Sequence, residues 1–130
     1  MTLVLGDDAM NEVILTSIKK LIGVTEEYTV FDGDIIICIN GVFGILTQLG
    51  VGPDTGFSLK TGDETWEDYL GAAYSDLTNL EMIKSYMAGK VRLMFDPPQS
   101  GVVKESLERI VAELEWRINV MVDPEDKFVI

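Results

Sequence analysis

A mainly α-helical fold is what this sequence predicts: four helices, with a short β-hairpin-like excursion between the second and the third. Three observations predict it. Apolar residues recur at steps of three and four through four separate stretches, the spacing of one helix face. Glycines, prolines and short polar residues punctuate the ends of those stretches. Between residues 51 and 74 the helical period stops, and Gly, Asp and Thr take over.

The first helix is expected at 8–22. Met10, Val13, Ile14, Ile18, Leu21 and Ile22 make its apolar stripe, Asp7 or Asp8 can cap it, and Gly23 can end it. Asp7, Asp8 and Glu12 near its start and Lys19 and Lys20 near its end suit the helix dipole. The second is expected at 31–49, opened by Thr29 or Asp32 and closed by Gly50. Ile35, Ile39, Val42, Phe43, Leu46 and Leu49 follow helical spacing, and Ile36, Ile37, Cys38 and Ile45 widen the stripe, which places this helix centrally. Gly41 and Gly44 each cost about 1 kcal/mol against Ala inside a helix, and a close helix crossing would account for them.

The excursion spans 51–74. FSLK and ETW read as two short strands around the turn TGD. Phe57, Trp66, Tyr69 and Leu70 are expected to anchor this segment on the body rather than to form a ligand site. The third helix is expected at 78–95, with Leu80, Ile83, Met87, Val91 and Met94 as its stripe, ending before Asp96-Pro97-Pro98. The fourth, at 101–121, carries Val103, Leu107, Ile110, Val111, Leu114, Ile118 and Met121 on one face, and Ser100 can cap it. Glu105 stands four before Arg109 and Glu113 four before Arg117, the favoured order for a helix ion pair. Leu107, Ile110, Leu114 and Ile118 are expected to pack on Ile39, Phe43 and Leu46. The organisation is then a helical domain over 1–122 and a tail over 123–130. In that tail Asp123-Pro124 breaks the helix and Phe128, Val129 and Ile130 form an apolar end suited to docking.

At 130 residues and 47% hydrophobic content the chain can build one real core. No apolar run reads as a membrane span, and no basic region precedes an apolar one at the N-terminus. The single Cys38 sits in an apolar run, so no disulfide framework is expected. The net charge is −12; residues 1–76 hold 13 acidic and 3 basic residues, and residues 77–130 hold 9 and 7. No basic face is available to grip phosphates.

Chemistry is sparse. The chain has no histidine, which removes triads, the commonest general base and most zinc sites. GVGPDTG lacks the ending of a phosphate loop, and neither DGD at 32–34 nor GDETWED at 62–68 has calcium-loop spacing. No enzyme, cofactor or metal is expected.

The run SYMAGKVRLMFDPPQSGVVKESLERIVAELEWRINV, residues 85–120, resembles the C-terminal half of the head–tail connector (adaptor, or DNA-packaging) proteins of tailed phages, and residues 14–53 resemble their N-terminal half. FDPP with the helix after it is the most distinctive part. The resemblance implies a structural virion protein at the head–tail junction, made in the host cytoplasm. It also implies a homo-oligomeric ring of about a dozen copies below the portal that extends the DNA channel. Its partners would be the portal protein and a stopper or tail-completion protein, with DNA passing through unbound and no membrane involved. Asp63, Glu64, Glu67 and Asp68 are the candidates to line that channel, and Phe128, Val129 and Ile130 to dock on the portal. The alternative is a stand-alone acidic module that binds a basic protein as an inhibitor or chaperone-like partner.

Overall fold

The computed structural model describes residues 10–71 and 77–122. Among these residues there are five helices and no strand: α1 (Ile14–Leu21), α2 (Asp32–Leu49), the one-turn α3 (Trp66–Leu70), α4 (Leu77–Phe95) and α5 (Gly101–Val122). The second, third and fourth long patterns fold within a residue of their expected ends, and the first gives the shorter α1. Gly50 closes α2 in the left-handed region, at φ 91°, and the Ser100 hydroxyl accepts from the Val103 N–H at 3.4 Å at the start of α5.

The first apolar pattern is interrupted before α1: Met10 and Asn11 are helical, Glu12 and Val13 are not. Val13 is extended (φ −66°, ψ 129°) and pairs with Thr65 in an antiparallel bridge. The Ile14 N–H donates to the Glu64 carbonyl at 2.9 Å, and the Trp66 N–H to the Glu12 carbonyl at 3.2 Å. The excursion thus takes backbone groups that a continuous helix would have used. The caps expected of Asp7 or Asp8 lie outside the described residues.

The expected β-hairpin does not form. FSLK and ETW do not pair with each other, because both ends of the turn find other partners. Asn40 of α2 claims Leu59 with two hydrogen bonds, accepting from its N–H at 2.7 Å and donating to its carbonyl at 3.2 Å. Thr65 becomes the cap of α3. Its hydroxyl accepts from the Asp68 N–H while the Asp68 carboxylate accepts from the Thr65 N–H, a reciprocal capping box. The sequence TWED spells that box, and its helix signal outweighs the strand preference of Thr and Trp.

α4 is the hub. It packs on α1, α2 and, most extensively, α5, and it buries Leu80, Ile83, Tyr86, Met87, Ala88 and Val91. α2 buries only one face, through Ile35, Ile39, Val42, Phe43 and Leu46. Its composition alone would pass for a membrane span, yet this face is part of the chain's own core. The close helix crossing falls at Gly89 rather than at Gly41 or Gly44. A Cβ on Gly89 would stand 2.6 Å from Val111 Cγ2, whereas one on Gly44 would meet nothing within 4 Å. α5 therefore lies against α4 and touches α2 only lightly. Of the four α5 residues expected to pack on α2, Ile118 is buried, Leu107 and Leu114 are half-buried against the core, and Ile110 is 55% exposed. That expectation fails for Ile110 because the helix has one neighbour along most of its length, and one neighbour dries only a narrow stripe.

Candidate functional site

The excursion is tied down from the inside. Trp66 and Tyr69 are buried, and the Trp66 indole N–H donates to the Ser17 hydroxyl of α1 at 2.9 Å. The Tyr69 hydroxyl donates to the Val51 carbonyl at 3.3 Å, and its ring lies 4.6 Å from that of Phe43 and 5.3 Å from that of Phe57. The aromatics are loop anchors, as expected of Phe57, Trp66 and Tyr69. Gly52 shows how tight the anchoring is. Its φ is +83°, and a Cβ there would stand 2.5 Å from the Tyr69 ring.

The four acidic candidates of this segment do different jobs. The Glu64 carboxylate accepts from the backbone N–H groups of Lys60 at 2.7 Å, Thr61 at 3.1 Å and Gly62 at 2.9 Å. Partial burial works to raise its pKa, but the N–H donors of Lys60, Thr61, Glu64 itself and Gly62 outweigh it and lower the pKa from 4.5 to about 2. Glu64 is therefore the clasp of the turn. Asp68 is exposed but spends one oxygen on the capping box. Asp63 is exposed and Glu67 half-exposed. Phe128, Val129 and Ile130 lie outside the described residues.

One buried charge gave no sequence signal beyond its fit to the helix dipole. Lys19 is 2% exposed. Its Nζ donates to the carbonyls of Glu26 at 3.0 Å and Tyr28 at 2.8 Å and pairs with Asp32 at 2.8 Å. It fastens the connector 23–31 to the start of α2. A lysine in the last turn of a helix reads as a solvated dipole partner, and only the return of the chain over it reveals three oxygen ligands.

Among the exposed surfaces two bear on contacts, an apolar groove and a small-residue stripe. The first is a groove between the end of α1, α4 and the first half of α5, lined by Leu21, Ala88, Pro98, Val103, Leu107 and Ile110. Among the described residues Arg92 is the only charged one on its wall, and Arg109 leans to its rim, 3.4 Å from the Ser106 hydroxyl that also lines it. The second face is the outer stripe of α2, where Asp34, Ile37, Gly41, Gly44 and Gln48 follow one another at steps of three and four and all are exposed, Ile37 at 71%.

A model of the family described as phage connector protein matches residues 14–125, a span that covers all five helices. The chain belongs to the phage connector protein family. Membership assigns it the role of a structural head–tail connector, a virion component that associates with other phage head or tail proteins. The match ends before Phe128, so the apolar end of the tail lies beyond what the family model covers. No curated protein and no solved structure matches the chain.

Proposed function

We propose that this connector assembles as a ring of about a dozen copies below the portal and continues the DNA channel toward the tail. The observation that carries the proposal is the family match over residues 14–125. Two features of the chain support it. A net charge of −12 without a basic face suits a passage through which DNA slides without sticking. The apolar groove and the exposed α2 stripe suit a protein whose core is finished but whose contacts are not.

In this reading Asp63, Glu67 and Asp68 face the channel and repel passing phosphates, and Glu64 holds the turn that presents them. Salt screens such repulsion only beyond about 8–10 Å. The apolar end Phe128, Val129 and Ile130 docks on the portal, and a stopper or tail-completion protein closes the other side.

The test is native mass measurement of the full chain mixed with portal protein. A ring bound to each portal is the expected result. A soluble one-to-one complex with some other, basic protein, and no portal binding, would replace this reading with that of an acidic binding module. The channel part has its own test. Asp63→Lys with Glu67→Lys spares the Glu64 clasp and the capping box, so assembly should persist while genome ejection slows, most at low salt. Normal ejection from such particles would remove these carboxylates from the channel. Deleting residues 123–130 should leave the domain folded and weaken portal attachment; undiminished occupancy would make the tail dispensable.

A further inference from the structure

We infer that neighbouring copies of this chain meet through two unlike helix faces, the outer stripe of α2 on one copy settling into the α1–α4–α5 groove of the next. The inference rests on the ring reading above and names the surfaces that would close the ring.

The first ground is shape. Gly41 and Gly44 cost helix stability, and among the described residues nothing fills the space they leave. A Cβ on Gly44 would meet no atom within 4 Å, and one on Gly41 only the tip of Met94 at 4.0 Å. Their absent side chains make a shallow trough along α2 beside the exposed Ile37. α5 offers the complementary relief. Val103 and Ile110 stand two helical turns apart, 53% and 55% exposed, as a ridge along one wall of the groove. A ridge of branched side chains packs into a trough lined by glycine with the helix axes close together.

The second ground is charge. Two copies that each carry −12 repel unless their contact sets opposite signs together. The groove provides that with Arg92 on its wall and Arg109 at its rim, and none of the described residues that line it is acidic. The α2 stripe brings Asp34 at its first turn, while Lys60 and Glu64 together border Gly44 and Gln48 at its far end. Asp34 of one copy against Arg109 or Arg92 of the next sets the direction of the contact. Because the two faces differ, the contact is heterologous, and repetition closes a ring when the rotation permits.

The test uses two full-length variants. Ile37→Glu blocks the stripe and Ile110→Glu blocks the groove. Both positions are more than half exposed, so each variant should melt near the parent temperature. Sedimentation velocity is read over rising concentration, with and without portal protein. The parent should assemble beyond a dimer. Each variant alone should lose association by at least about tenfold. An equal mixture of the two should form a dimer and stop there, since one partner keeps its groove and the other its stripe, and that dimer also shows that both variants are folded. If either variant alone assembles as the parent does, or the mixture stays monomeric, these faces are wrong while the ring reading survives. If the parent fails to assemble even on portals, the ring reading falls and this inference with it.

Discussion

The segment 51–71 and the helix α5 exchange the roles their sequences suggest. The segment lacks a helical period and is rich in Gly, Asp and Thr, yet it buries Val51, Leu59, Trp66 and Tyr69. α5 has the longest regular apolar stripe in the chain, yet among its 22 residues only Val111 and Ile118 are buried. Periodicity tells which face of a helix would be dry. It does not tell whether a neighbour exists to dry it. An aromatic in an irregular loop carries no such pattern, but it brings enough area to seek the core wherever the chain lets it reach.

That contrast can be broken in order of size. Trp66→Ala removes the largest anchor of the segment and leaves Ser17 without its indole partner, and should cost about 3–5 kcal/mol by urea denaturation. A loss below about 1 kcal/mol would mean that the segment is not part of the core. Ile118→Ala, at the buried end of α5, should cost about 2–4 kcal/mol in the same assay.

Glu64 sharpens the comparison through pH. Its pKa is lowered from 4.5 to about 2 in the folded chain, so its carboxylate stabilises the fold fully above 4.5. The contribution fades as pH falls through the range down to about 2. Glu64→Gln should therefore be less stable than the parent near neutral pH, and the gap should narrow between pH 4.5 and 2. A gap that stays constant with pH would show that the clasp does not depend on charge. The smallest effect is expected from Ile110→Ala, within about 0.5 kcal/mol in the isolated chain. A larger loss would return Ile110 to the core and weaken its role in contact with another copy.

Four helices were legible because each repeats its apolar residues over several turns and ends on Gly, Pro or a capping residue. The hairpin was misread because Thr-Trp-Glu-Asp serves both a strand and a capped helix, and only Val13 and Asn40, far away in sequence, decide between them. The helix crossing was misplaced for a related reason. A glycine permits close approach but does not require it, and Gly89 has Val111 opposite while Gly44 has open space. The division of labour among the acidic residues of the excursion was not legible, since the N–H groups that capture Glu64 belong to a turn whose shape no local pattern states. The pairing of Glu113 with Arg117, at 2.9 Å, followed directly from spacing. Arg109 instead turned to Ser106.

The enclosure of Lys19 makes the chain its own reporter. Lys19 is 2% exposed and its ammonium group is held by three oxygens, while Lys20, the next residue, is exposed. An amine-reactive label offered to the intact protein will modify Lys20 and pass over its neighbour. Modification of Lys19 will then count the moments when the 23–31 connector lifts away, separately from unfolding of the whole domain. Peptide mass spectrometry of virions before and after genome release would show whether that connector opens when the junction works.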